Sequence, residues 1–192
     1  MRTLILDRSS AFTHMAYNGQ TCTLDGRDDT WVAKMRDFLK GEVPEALAVG
    51  LGPGSFAGIR AAIAALQGLG IAWQLQPVGF PSAAVLAAAS GLPEVMVVGD
   101  ARRNTLWTVR YRISETRIEQ LGGFELRKRE TFVPDANAVS PDAARLPEFN
   151  NLCAVTIDPS LLASVVTRLG DALTADPKPY YLHPAVGAAD AK

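Results

Sequence analysis

The sequence predicts an α/β fold in two lobes, residues 1–98 and 99–192, and three observations carry that expectation. Short apolar runs alternate with helix-period segments through the first hundred residues. Near residue 100 the rhythm changes to alternating apolar and polar positions. Each half also opens on a strand-like run that ends in an aspartate, Asp7 in the first and Asp100 in the second.

Leu4 to Leu6 reads as a buried strand that delivers Asp7 to the polar turn Arg8-Ser9-Ser10. Trp31, Val32, Met35, Phe38 and Leu39 recur at helical spacing, with Asp28, Asp29 and Thr30 as first-turn and cap residues and Gly41 as the stop. Ala46 to Leu51 is a second buried strand, which Gly52-Pro53-Gly54-Ser55 turns into an apolar helix over 56–72. Strand, helix and strand follow at Val78–Phe80, Ser82–Ala89 and Val95–Asp100. Leu106, Trp107, Val109, Tyr111 and Ile113 then alternate as a strand, and Ile118 to Leu126 supplies its hairpin partner. Pro134 to Asn151 holds one short helix at most. Leu152 to Ile157 reads as a strand, and Asp158-Pro159-Ser160 caps a helix running from Leu161 to Leu173. The Pro-punctuated stretch Pro177 to Ala185 is extended.

With 48% hydrophobic and 20% charged residues over 192 positions, the chain can bury a substantial core, which excludes a disordered segment. The formal net charge of -1 provides no general field for a polyanion. Residues 100–130 are nevertheless basic, with eight Arg or Lys against five Asp or Glu. Cys22 and Cys153 stand far apart, without a CxxC pair or a histidine cluster, so neither a disulfide framework nor a zinc site is indicated. Met1-Arg2 leads directly into a strand with no leader pattern, and the apolar run Ile59 to Trp73 reads as too short and too Gly-rich for a membrane span. The cytoplasm is the expected compartment, with no membrane partner.

The stretch Leu51-Gly52-Pro53-Gly54-Ser55-Phe56-Ala57-Gly58-Ile59-Arg60 excludes three well-known motifs by spacing. Its glycines fall as GxGxxxG, so it is not the GxGxxG dinucleotide fingerprint. No Lys-Ser/Thr pair follows Gly58, so it is not a P-loop. Pro53 and Ala57 stand where a nucleophile elbow needs glycines around Ser55. Spacing alone leaves two readings. One is a tight turn in which Gly54 takes an unusual backbone angle and Ser55 caps the helix; the other is anion binding at the helix N-terminus.

The same stretch closely resembles the GPGSFTGxR signature of the TsaB (YeaZ) family, with Ala57 in place of the usual threonine. The Met-Arg-x-Leu-x-x-Asp start, Asp100-Ala101-Arg102 and Pro179-x-Tyr181-Leu182 fit that family in the same order. The resemblance implies a two-lobed actin/Hsp70/sugar-kinase-like fold with a degenerate nucleotide site. It also implies a scaffold that does no chemistry itself: a partner of the catalytic homologue TsaD in making threonylcarbamoyladenosine in tRNA. The TsaE ATPase and tRNA would be met only through the complex, the chain would form a homodimer when alone, and no cofactor is expected. In the wider superfamily, Asp-bearing turns approach nucleotide phosphates from both sides of a cleft, so Asp7, Ser9 and Asp100 mark a vestigial cleft. The bulky residues after Asp7 and Asp100 would obstruct phosphates there. The chain is short for the family between the helix at 30–40 and the strand at 46–51.

His14 and His183 cannot form the HxxxH metal pair of the TsaD branch and read as ordinary surface or loop histidines, so neither a metal site nor a protease is expected. The helix over 56–72 is apolar nearly all round, and such a helix must be covered on more than one side. The residues alone leave two readings, an internal core helix or a face for another chain; family resemblance favours the second, which points to Trp31, Met35, Phe38, Ile59, Ile63, Ala65 and Leu66 as interface residues. Two other readings stand beside the scaffold. One is an ATP-binding phosphotransferase or ATPase using Asp7 and Asp100; the other is a weak RNA-binding module using Arg102, Arg103, Arg110 and Arg112.

Overall fold

The first strand, β1 (Thr3–Asp7), is buried on both faces, which is why its apolar residues run without interruption instead of alternating. The computed structural model describes residues 1–183 and places β1 at the centre of a five-stranded sheet. Its neighbours are β2 (Phe12–Tyr17), β3 (Gln20–Asp25), β4 (Ala46–Gly50) and β5 (Val78–Phe80), in the order β3-β2-β1-β4-β5. β1, β4 and β5 are parallel, and such pairs need crossovers. These contain α1 (Trp31–Phe38) and α2 (Phe56–Trp73).

Residues 11–27, unassigned from sequence, form the β2–β3 hairpin. Its two-residue turn is Asn18-Gly19, with both residues left-handed (φ 49° and 75°). That pair is a strong local hairpin signal, because both central positions of a type I′ turn need positive φ. Before α1, the expected caps act differently. Thr30 occupies the N-cap position without a side-chain cap bond, and no acidic residue sits in the first turn. Asp28 instead accepts hydrogen bonds from the Thr30 amide (2.8 Å) and hydroxyl (2.6 Å) and pairs with Lys34. Hydrogen bonds from Lys34 and Thr30 pull the Asp28 carboxyl down to about 2.

The second sheet has the order β10-β9-β6-β7-β8. It comprises β6 (Glu94–Arg102), β7 (Thr105–Ile113), β8 (Ile118–Lys128), β9 (Ala138–Ser140) and β10 (Cys153–Ala154). The expected hairpin is β7–β8. β6 runs through the 98/99 boundary read from sequence. β9 lies inside the stretch expected to hold one short helix at most; it is three buried residues, too short to show a period. A single 3-10 turn, Ala143–Arg145, is the helical part of that stretch. β10 is two residues long where six were expected. Asp158 accepts a hydrogen bond from the Ser160 amide and caps a 3-10 turn, and α4 (Leu162–Leu169) ends before Leu173. Of the extended segment Pro177 to Ala185, Pro184 and Ala185 lie outside the described residues.

The two sheets share a core. Leu4 and Leu6 point to the side covered by α1 and α2, where they meet Trp31, Met35, Ile63 and Leu66. Ile5, one residue out of phase, points the other way. It joins Ala48 and Phe80, α3 (Ser82–Ala89), α4, and Val97, Trp107 and Tyr111 of the second sheet in one buried cluster.

Candidate functional site

The Asp7 turn and the Gly-rich turn are built against each other. Asp7 is fully buried, and its Oδ1 accepts hydrogen bonds from the Ser9 amide (2.8 Å) and hydroxyl (2.7 Å). Its Oδ2 is buried without a partner among the described residues. A Cβ on Gly50 would lie 2.1 Å from that oxygen, so the backbone of β4 presses on the carboxylate. The Ser9 carbonyl accepts from the Ser55 amide (2.7 Å). A Cβ on Gly54 would stand 2.0 Å from the Ser9 carbonyl oxygen, and one on Gly58 2.3 Å from that of Arg8. Glycine is needed at both positions for this close approach. Gly52, at φ 85° and ahead of a cis bond to Pro53, donates its amide to the Ser82 hydroxyl (3.0 Å) and accepts from the Ser82 amide (2.9 Å).

Ser55 is the N-cap of α2, its Oγ accepting from the Gly58 amide at 3.3 Å. Ser55→Ala is therefore expected to lower stability by about 1 kcal/mol, read as a shift in a urea midpoint at unchanged m-value. A loss of several kcal/mol would mean that the residue does more than cap.

Arg8 turns inward. Its Nη2 donates to the Gly26 carbonyl (2.7 Å), and its guanidinium carbon stands 4.3 Å from the centre of the Trp31 ring. Burial lowers its pKa from the ordinary arginine value.

The second aspartate lies at the end of β6. Asp100 accepts from the Arg102 amide (2.8 Å) and stands 3.6 Å from the Arg102 guanidinium, while its own amide donates to Asp142 (2.9 Å). Arg102, Arg103 and Asn104 all take positive φ (66°, 50° and 57°) at the β6–β7 turn. His183 donates from Nε2 to the Ala101 carbonyl (2.8 Å), so the C-terminal segment is tied to this turn.

These residues do not fit a nucleotide. Amide cradles for phosphate are formed by successive free N–H groups, commonly at glycines. The Ser9 amide is taken by Asp7 and the Arg102 amide by Asp100, and neither turn contains glycine. Among the described residues no group of three or more His, Cys, Asp or Glu is placed to hold a metal ion.

The structure corrects several site readings. His14 is not a surface or loop residue: it is 5% exposed in β2, with Nε2 3.2 Å from the Ser10 hydroxyl and Nδ1 3.2 Å from that of Thr23. Burial between β1 and β3 lowers its pKa below the ordinary 6.5. The unfolded chain then binds a proton that the folded one resists, so the stability contribution is complete above pH 6.5 and is lost as pH falls through the folded-state value. His14→Gln is expected to flatten that part of the stability–pH curve, measured by chemical denaturation between pH 7 and pH 5. A slope identical in both proteins would assign it to another group.

Among the expected interface residues, Trp31, Met35, Ile59, Ile63 and Leu66 are buried in the chain's own core, and Phe38 and Ala65 are half-buried beside it. They hold α1 and α2 on the sheet and leave little surface for a partner. The exposed stripe of α2 is a different one: Phe56, Ala57, Arg60, Ala64, Gln67, Gly68 and Ile71. Phe56 is 52% and Ile71 83% exposed. α2 is 18 residues long with a mean hydropathy of 1.4, so by length and composition alone it could cross a membrane, contrary to the expectation from sequence. Its inward stripe nevertheless packs on the strands of the first sheet, as in a layered α/β domain. The arginines of the RNA-binding reading are largely matched: Arg110 pairs with Asp135, Arg112 with Glu94 and Glu119, and Arg102 with Asp100.

Two five-stranded sheets around a shared core, each carrying an aspartate turn, define a two-lobed α/β protein of the actin/Hsp70/sugar-kinase-like class. The chain belongs to the family described as TsaD, tRNA N6-adenosine threonylcarbamoyltransferase, whose model matches residues 39–158. Its fold is that of YeaZ from Pseudomonas aeruginosa, at a TM-score of 0.75 and 22% identity, over 94% of this chain and 99% of the other. A second structure matches at a TM-score of 0.73 and 20% identity, over 95% of this chain and 99% of the other. It is described as an uncharacterized protein with similarity to peptidase YEAZ from Pseudomonas aeruginosa. No curated protein matches the chain at a significant level.

Proposed function

We propose that this chain is a TsaB-type, non-catalytic partner of a TsaD transferase in the synthesis of threonylcarbamoyladenosine in tRNA. The observation that carries the reading is the outward stripe of α2. In α2, Ile59, Ala62, Ile63, Leu66 and Gly70 are buried, and an apolar, small-residue surface is left uncovered by the described residues. Ala57, Ala64 and Gly68 recur along it at helical spacing, so another helix can approach closely, with Phe56 and Ile71 as apolar anchors at its two ends. Val32 of α1, 48% exposed, extends the apolar surface. The resemblance of the Gly-rich turn to the TsaB signature favours TsaD as the occupant of this face, and a second copy of the chain would take the same place when TsaD is absent. TsaE and tRNA would then be met only through the complex, in the cytoplasm and without a cofactor of the chain's own. The closed Asp7 and Asp100 turns support a role without catalysis, and the paired arginines favour tRNA contact through the partner over direct binding.

The test is co-purification of tagged chain with the TsaD of its own host, followed by tRNA modification assays with and without the chain. Capture of TsaD together with a strict dependence of modification on the chain is expected. Modification by TsaD alone at the full rate, or no capture at micromolar concentrations, would overturn the proposal.

A further inference from the structure

Arg8 carries a positive charge into the interior, and among the described residues no carboxylate pairs with it. The residue is 7% exposed, and among the described residues its Nε is buried without a partner and its one side-chain hydrogen bond goes to a neutral carbonyl. Asp28 is the acidic group that acts on it from nearby, but the Asp28 oxygens are already taken by Thr30 and Lys34. A buried cation with no counter-charge is costly, so a guanidinium held in this place is expected to meet an anion from outside.

Arg8 lines a cavity of about 280 Å³, together with Ser10, Phe12, Ser55, Ala57 and Gly58. Among the described residues no acidic side chain lines it. The positive end of α2 opens into the same space. The amide of Ala57, which lines the cavity, has no acceptor among the described residues, and Ser55 Oγ, which accepts from Gly58, keeps its own hydrogen to donate. Ser10 is engaged with Phe12 and His14.

We propose that this cavity binds a phosphate-type oxyanion, held by the Arg8 guanidinium, the Ser55 hydroxyl and the Ala57 amide in the first turn of α2. Every lining residue comes from the first sheet, its connecting turns or α2, so the site is separate from a cleft between the lobes. It stands independently of the scaffold reading, since it requires neither TsaD nor tRNA. Anion binding at this helix N-terminus was one of the two readings that spacing left open, and the buried Arg8 is what decides between them.

The probe is inorganic phosphate at constant ionic strength. The intact chain is expected to show a saturable rise in Tm, about 5 to 10 °C once phosphate reaches about a hundred times its Kd, which chloride does not reproduce. Arg8→Gln should abolish the shift, and Ser55→Ala should weaken phosphate about tenfold. If Arg8→Gln fails to fold, phosphorus NMR titration of the parent against Ser55→Ala decides instead. Methyl phosphate binding while dimethyl phosphate does not would assign the site to a terminal phosphate, and equal binding of both to a backbone diester. No saturable response in the parent, an equal response in Arg8→Gln, or unchanged affinity in Ser55→Ala would overturn the proposal.

Discussion

Leu66→Glu is expected to leave no folded protein, while Ala64→Glu, two positions away on the same helix, folds and loses its partner. Leu66 is fully buried between α2 and the first sheet. Removing a core leucine costs about 2 to 5 kcal/mol before any charge is considered. A carboxylate in its place adds the cost of an unpaired buried charge, and the sum reaches the whole stability of an ordinary domain, about 5 to 15 kcal/mol. Ala64 is exposed on the outward stripe, so a glutamate there meets water in the free chain. In a complex it would be desolvated with no counter-ion, which costs about 4 kcal/mol, or roughly a thousandfold in affinity. Thermal melts with sedimentation, with and without TsaD, separate the two outcomes. A folded Ala64→Glu that still captures TsaD at parental affinity would remove this stripe from the interface. Ala65, half-buried at the edge of the core, would report a mixture of both effects.

The other large effect is at Gly54. Gly54→Val places a Cβ about where the Ser9 carbonyl oxygen already stands, 2.0 Å away, and that oxygen is part of the backbone. Relief requires the Gly-rich turn to lift off the Asp7 turn, which breaks the hydrogen bond from the Ser55 amide to the Ser9 carbonyl. A destabilisation of more than about 3 kcal/mol, seen as insolubility or a collapsed Tm, is expected. Gly68→Ala is the control. A Cβ there meets nothing within 4 Å, and replacing a mid-helix glycine by alanine should stabilise the isolated chain by about 0.5 to 1 kcal/mol. A Gly54→Val protein as stable as the parent would mean that the two turns are not clamped together in solution.

The order of elements and the Gly-rich turn were legible because their signals are local. Ser55 is a cap residue directly before an apolar run, and the alternation from Leu106 to Ile113 has the period of a half-buried strand, so both could be placed from neighbouring residues alone. The Asn18-Gly19 turn carries an equally local signal, but the buried β2 beside it lacks the alternation that marks a half-buried strand. What only tertiary structure decided was direction. An α2 whose two faces are both apolar or small has no polar side to mark the outside, so periodicity could not show that Ile59, Ile63 and Leu66 face inward while Ala64, Gly68 and Ile71 face out. The burial of His14 and the inward turn of Arg8 were hidden for the same reason. Each depends on which strand lies alongside and which carbonyl is within reach, and those contacts join residues that are not neighbours in the chain.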